Sequence, residues 1–330
     1  MTLLLLLLGG IVIGIVLVLC FLLISSPSPR KPTENEGYYN VLQTEDRQKT
    51  PSIFDPPSVS LSLIVPAFDE SKRLPIMLND TVDFLETRKK TNGSFTYEVI
   101  IVDDGSRDNT IQAATDYARN RPTVDIRILA LEKNRGKGGA VTQGMLCARG
   151  EQCLMVDADG ATEFSDLANL EEKLESTVNE EGYGIAVGSR SHLVSTEAVV
   201  KRSFIRNFLM RAFHTLVYTL GIRGIEDTQC GFKLFTRKAA QLVFPNMHVE
   251  RWIFDIECLM IAQSQKIPLV EVQVKWHEID GSKVNLITDS AQMARDLFLI
   301  RLNFMLGFWK IHCRIAGCAP SDQYVWSSVV

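Results

Sequence analysis

The chain has 330 residues, enough for one large α/β domain or two small ones, with 46% hydrophobic and 22% charged residues. A formal net charge of −4 argues against a general nucleic-acid binder. Its seven cysteines, scattered without C-x-x-C or Cys/His spacing, argue against a disulfide scaffold and a zinc site and are read as free thiols.

From Leu3 to Ile24 no side chain is charged or strongly polar. That run suffices for a bilayer core, which needs roughly 20 apolar residues. It is too long for a signal-peptide core and has no basic residues before it, though a cleaved signal is the alternative. Arg30 and Lys31 follow it, so the positive-inside rule predicts an outside N-terminus and a cytosolic remainder. The sequons at Asn79 and Asn92 are then chance matches, since only a lumenal domain would be glycosylated. Residues 25–58, rich in Ser, Pro, Glu and Lys, read as a tether.

From residue 60, strand-like runs near 61–66, 97–103, 125–131, 152–157 and 183–188 alternate with helical patterns near 74–90, 109–120, 138–149 and 165–177. Ser106 and Thr110 lie near helix starts, and Gly150 is placed as a C-cap. This alternation predicts parallel pairing with right-handed crossovers. Past 190 come helical patterns at 200–220, 237–243 and 254–264 and strand-like runs at 232–236 and 268–276. Gln292–Ile315 is apolar on much of its circumference but carries Arg295, Arg301, Lys310 and Arg314. It either lies in a membrane interface or packs on the domain's own core. The organisation is thus anchor 1–24, tether 25–58, α/β domain 59–288 and amphipathic segment 289–330, with no internal repeat.

Three apolar runs end abruptly in acid: Leu61-Ser-Leu-Ile-Val-Pro-Ala-Phe-Asp-Glu70, Tyr97-Glu-Val-Ile-Ile-Val-Asp-Asp-Gly-Ser106 and Cys153-Leu-Met-Val-Asp-Ala-Asp-Gly-Ala-Thr162. Buried parallel strands read as such runs, and ligands bind beyond their carboxyl ends. Side by side they bring Glu70, Asp103, Asp104, Asp157 and Asp159 to one crevice. Carboxylates so close repel unless a cation or hydrogen bonds compensate. A hard divalent metal holding a diphosphate is the simplest arrangement. In Asp157-Ala-Asp159 one acid would ligate that metal and the other reach it through water or touch a sugar; the alternative is a capped strand end. Asp103 and Asp104 divide between capping a helix and accepting from a uracil imide N–H.

Asn134-Arg-Gly-Lys-Gly-Gly-Ala140 suits a phosphate, with glycines for close approach and a helix N-terminus behind, though its spacing is not that of a P-loop. No G-x-G-x-x-G follows the first strand, which counts against a dinucleotide dehydrogenase. Asp227-Thr-Gln-Cys-Gly-Phe-Lys233 combines an acid, a turn glycine and a cation, and alone is also an ordinary turn. Asp255 and Glu257 open a helix, where the dipole favours acids in any case. Arg190, Arg202, Arg206 and Lys283 have no evident acidic partner, Glu278 near Lys283 excepted. Arg202 and Arg206 share a helix face at i, i+4; the alternative is a solvated basic face.

Together Pro66-Ala-Phe-Asp-Glu70, Val102-Asp-Asp-Gly-Ser106, Asn134-Arg-Gly-Lys-Gly138, Asp157-Ala-Asp159 and Gly188-Ser-Arg190 resemble the family 2 inverting glycosyltransferases of GT-A fold, over roughly residues 60–285. Asp227–Phe235, Glu250–Asp255 and Glu278–Lys283 resemble the members that glucosylate a lipid phosphate. The resemblance implies an α/β, Rossmann-like, mostly parallel sheet flanked by helices. It also implies glucose transfer from UDP-glucose to dolichyl phosphate with Mg2+ or Mn2+, at the cytosolic face of the endoplasmic reticulum membrane. Pro66, Ala67, Phe68, Glu70, Asp103, Asp104, Lys137 and Asp157 would then bind the donor nucleotide. Asp157, Asp159, Asp255 and Glu257 would be catalytic, the first two as metal ligands. Asp227, Gln229 and Lys233 would serve the diphosphate and sugar, and Arg190, Arg202, Arg206 and Lys283 the acceptor phosphate.

One departure stands out. Mannose-transferring relatives resemble Asp-Ala-Asp-x-Gln, with the Gln aiding the metal, whereas Ala161 stands here. Another ligand is needed, from water or from residues 227–233. Nothing physical in the sequence separates uracil from guanine, so GDP-mannose as donor, or a protein or polysaccharide as acceptor, are rival chemistries. A tethered nucleotide-sugar binder without catalysis is the rival of another class.

Overall fold

A computed structural model of the chain describes residues 2–27, 32–40, 47–193, 222, 224–279 and 286–312. The helix expected at 200–220, with Arg202 and Arg206, lies outside these residues, as do Lys283 and the chain past 312.

A nine-stranded sheet carries the domain, in the order β2-β1-β5-β4-β3-β6-β8-β7-β9. Its centre is the parallel block of β3 (Val59–Ala67), β4 (Tyr97–Asp103), β5 (Ile126–Ala130) and β6 (Gly150–Val156). These strands are apolar throughout because both faces are covered. Leu61, Leu63 and Val65 face a core with α2 (Leu74–Thr91), α3 (Thr110–Arg119) and α5 (Leu167–Thr177). Ile64, Ile100 and Met155 face the other, with α4 (Lys137–Leu146), α6 (Arg237–Val243), α7 (Phe254–Ser264) and α8 (Leu286–Met305).

From β3 the chain passes to its neighbour β4, whereas from β6 it passes to the opposite side, reaching β7 (Ile185–Ser189). That reversal opens a crevice at the carboxyl ends of β3 and β6, the place where such sheets bind ligands. Between β6 and β7 lies β8 (Phe232–Thr236), antiparallel to both, and β9 (Leu269–Gln273) pairs parallel with β7 at the far edge. The sheet is therefore mixed around a parallel centre.

Two expectations are corrected. Part of the tether belongs to the sheet: β1 (Tyr38–Asn40) pairs with β2 (Arg47–Lys49) and joins β5 at Ile128. Tyr39 and Ile53 are buried in the core, isolated apolar residues in polar surroundings that leave no periodic signal. Gly150 is not a helix cap. The helix ends at Leu146, and Gly150 opens β6, where a Cβ would lie 2.5 Å from the Ser62 amide nitrogen.

At the N-terminus α1 (Thr2–Ile24) is a 23-residue helix with no acidic residue in its first turn and no basic one in its last. Its side chains are described only from Gly9 onward, Leu22 excepted, and among the described residues no helix is long and apolar enough to cross a membrane. Beside it, Ser26 Oγ accepts from Asn303 Nδ2 of α8 at 2.8 Å.

Candidate active site

The acids at the strand ends divide into those that build the crevice and those that face it. Beyond β3, Asp69 takes a left-handed backbone (φ 52°), and its Oδ1 accepts from the Arg107 amide at 2.7 Å. That turn presents Glu70, whose carboxylate is clamped by Arg73 in two bonds of 2.6 and 2.7 Å. Glu70 therefore serves as the partner of Arg73 rather than as an open nucleotide contact. The hydrogen bonds that Arg73 donates to Glu70 hold its guanidinium firmly charged, and the fields of Asp159 and Asp157 add to it. Arg73 is a cation of the crevice that sequence reading missed; the Glu70–Arg73 spacing of three was its available signal.

Asp103 and Asp104 differ in how fully their carboxylates are partnered. Asp104 Oδ1 and Oδ2 accept from the amides of Arg135 and Gly136 at 2.6 and 2.8 Å, fixing the turn after β5. Burial pushes its carboxyl up to about 6 despite those bonds. Asp103 Oδ2 accepts from the Ser106 amide at 3.1 Å, while its Oδ1 is buried and has no partner among the described residues. That second oxygen is, among the described residues, an acceptor without a donor at the head of the crevice. Pro66 and Ala67 pair with Val102 and Asp103 beside it, and the Arg107 guanidinium lies 5.9 Å from the ring of Phe68.

At Gly136, Gly138 and Gly139, expected to allow a phosphate's close approach, the room a Cβ would take is filled by protein. A Cβ on Gly136 would come within 2.8 Å of the Glu250 carbonyl, and one on Gly138 would strike Phe254. The Gly139 amide donates to the Glu250 carbonyl at 2.8 Å. The glycines admit the 250–254 segment, and the member of the motif that reaches the strand-end acids is Lys137. Its Nζ lies 2.6 Å from Asp157 Oδ1 and 2.9 Å from Oδ2. Burial works against that charge, but Asp157, Asp255 and Asp159 outweigh it and hold the ammonium protonated.

Asp157 and Asp159 follow β6 on a loop tied down from outside. The Asp157 amide donates to the Gly231 carbonyl at 3.1 Å, and the His277 amide to the Ala161 carbonyl at 3.0 Å. A Cβ on Gly231 would fall on the carboxylate of Asp157, so the turn glycine of the 227–233 motif is what lets the acid lie there. Asp159 Oδ1 accepts from the Ala161 amide at 3.0 Å; burial and then the charge of Asp157 raise its carboxyl. Lys137 contacts Asp157 alone, and Arg73, whose field reaches both aspartates, is itself clamped by Glu70, so the pair keeps negative charge in excess. That suits a divalent cation, and magnesium typically takes one or two carboxylates, keeping waters and phosphate oxygens for the rest. Among the described residues no group of three or more acidic, His or Cys side chains forms a metal cage.

Lys233 and Asp255 lie beneath this loop, not in contact with solvent. Lys233 Nζ is 2.5 Å from Asp255 Oδ1 and 2.6 Å from the Cys230 carbonyl, and both side chains are at most 4% exposed. Asp255, expected to be catalytic, has its carboxylate sealed by Lys233 rather than open to the crevice. Removing one member of a buried pair strands the other's charge, at about 3–5 kcal/mol. Lys233→Met is accordingly expected to lose that much stability in denaturant unfolding, and Lys233→Met with Asp255→Leu to recover most of it. Equal losses in the single and double variants would remove the pair from this role.

Glu257 is also corrected. It is fully buried, and its oxygens accept from the amides of His248 and Val249 at 2.7–3.0 Å and face His248 Nδ1 at 2.9 Å. The His248 ring stacks on Trp309 at 4.0 Å. Glu257 clasps the 248–250 turn, which carries Glu250. Arg190, expected to await a phosphate, has an acidic partner in Asp227, with Nε and Nη2 at 2.7 and 2.9 Å from its oxygens. Burial alone would raise the Asp227 carboxyl, but Arg190 outweighs it and holds the acid below its usual range. Helical spacing could not reveal this pair, since β7 and the 227 turn meet only across the sheet. Gln229 donates weakly to Met293 Sδ on α8, at 3.5 Å.

The chain matches the family model described as glycosyl transferase family 2 over residues 62–244. It is 48% identical over 305 residues to the dolichyl-phosphate beta-glucosyltransferase of Dictyostelium discoideum, covering 91% of this chain and 93% of that one. To the human protein of the same name it is 47% identical over 284 residues, covering 84% and 86%. A solved structure of glucosyl-3-phosphoglycerate synthase from Mycobacterium tuberculosis superimposes with a TM-score of 0.52 at 14% identity, over 74% of this chain and 80% of that chain, a likeness of fold.

Proposed function

The chain belongs to glycosyl transferase family 2, and on that premise we propose that it transfers glucose from UDP-glucose to dolichyl phosphate with inversion, giving dolichyl β-D-glucosyl phosphate. The observation that carries this reading is the 48% identity, which spans nine-tenths of both chains. The crevice is consistent with it. Asp103 Oδ1 offers a buried acceptor for the base, and Lys137 and Arg73 bring positive charge to the diphosphate. Asp157 and Asp159 would hold Mg2+ or Mn2+, which when bound supplies charge neutralisation at the departing diphosphate.

The acceptor is a phosphate monoester, anionic near neutral pH, so no strong general base is required. The chain's task is to align acceptor oxygen, anomeric carbon and leaving oxygen and to exclude water. A single displacement inverts the α-linked donor to a β-linked product. Thin-layer analysis of lipid products from labelled UDP-glucose and dolichyl phosphate tests this directly. A glucosyl lipid whose formation UDP suppresses and GDP does not is expected; transfer from GDP-mannose instead would overturn the donor.

We further place the enzyme in the endoplasmic reticulum membrane, held by the uncharged run Leu3–Ile24 with the catalytic domain cytosolic, as Arg30 and Lys31 suggest. Protease added to sealed microsomes is expected to digest the domain, and the exposed Asn79 and Asn92 to carry no glycan. Protection, or an endoglycosidase-sensitive mass shift, would reverse this topology.

A further inference from the structure

We propose that Glu36, in the segment upstream of the family-matched region, is a positioning residue of the donor site, acting through Arg135 on the turn that carries Lys137. The inference rests on the donor reading above. Glu36 is fully buried although it lies in a stretch of polar composition, and its Oε2 is 3.7 Å from Arg135 Nη1. That nitrogen is itself buried and makes no hydrogen bond among the described residues, so the charge of Glu36 is what faces it. The rest of the guanidinium, Nε and Nη2, donates to Glu250 Oε1. Arg135 thus sits between a carboxylate from before the sheet and one from the 250 turn.

The backbone of Arg135 is part of the site. Its amide and that of Gly136 donate to Asp104, and the next residue, Lys137, reaches Asp157. There is little slack in between, since a Cβ on Gly139 would lie 2.5 Å from the Cβ of Arg135. The upstream segment also holds the approach to that turn: Asn40 pairs with Ile128 in β5, and Asn35 Nδ2 donates to Glu132 Oε1 at 2.6 Å just after the strand. Glu36 is fixed in turn by the Thr33 amide, which donates to its Oε2 at 3.0 Å. Residues 33–40 lie before the span matched by the family model, residues 62–244.

Glu36→Gln keeps the shape and an acceptor for Thr33 but removes the charge. Changes at residues that touch neither ligand typically alter coupling by a factor of roughly two to thirty. In the full-length chain, the Kd for UDP and the KM for UDP-glucose are expected to rise together by that factor. Because Glu250 still holds the Arg135 guanidinium, the melting temperature should fall less than in Lys233→Met; the KM for dolichyl phosphate should stay at the wild-type value, and Glu36→Asp should recover part of the UDP affinity. Unchanged UDP affinity in folded Glu36→Gln overturns the proposal, as does an equal rise in KM for both substrates. Failure of both Glu36 variants to fold would likewise make the residue structural and overturn it. UDP binding is read without acceptor, so a wild-type chain that binds UDP but makes no glucosyl lipid refutes the proposed reaction while leaving the test of Glu36 standing.

Discussion

Asp159→Ala is expected to lower kcat by about a hundred- to a thousandfold, the usual cost of removing one electrostatic element at a developing charge. The substitution is mild for the fold. Asp159 makes a single local bond to the Ala161 amide, and its carboxyl is already raised by burial and by the neighbouring Asp157. Stability should therefore hold or improve slightly while turnover collapses. Glucosyl-lipid formation under saturating donor, read beside the melting temperature, separates the two. Near-wild-type turnover with excess magnesium would remove Asp159 from the reaction.

Gly231→Ala is expected to cost about a hundredfold or more in turnover, acting through the carboxylate of Asp157. The added methyl group would occupy the place of the Asp157 carboxylate, and Asp157 in turn sets Lys137. A displacement of about 1 Å at a reacting centre can cost a hundredfold. The position sits at the junction of a loop and β8, its own carbonyl accepting from the Asp157 amide and the next residue, Phe232, paired with Val156, so relief by backbone movement is limited. Comparison with Asp157→Ala is the discriminating measurement. Similar losses place both substitutions on one element, and full activity in Gly231→Ala would show that the carboxylate need not lie where it does.

Strand ends and acids were readable because a parallel sheet buried on both faces writes itself as uninterrupted apolar runs, and their acids mark where the runs stop. Leu61–Ala67, Tyr97–Asp103 and Gly150–Val156 accordingly stand side by side, and they bring Asp103, Asp157 and Asp159 to one crevice. What stayed hidden were partnerships made across the fold. Nothing local pairs Arg190 with Asp227, Lys233 with Asp255 or Arg135 with Glu36. Residue type was also ambiguous for glycine: 136, 138 and 139 yield to protein backbone and side chains, whereas 231 yields to a carboxylate. Glu257 opens a helix as the dipole predicts, yet its carboxylate serves the 248–249 amides.

The placement of β8 between β6 and β7 bears on how the chain acquires its shape during synthesis. The residues from Val59 to Val156 complete the parallel block, but β6 then has a bare edge until Phe232–Thr236 has been made. The intervening chain must wait on both β8 and the α7 segment that seals Lys233. Unpaired edges of this kind are where growing chains adhere to one another. Ribosome-bound chains halted shortly after β6 should therefore lean on chaperones, and that dependence should vanish once the segment through α7 has emerged.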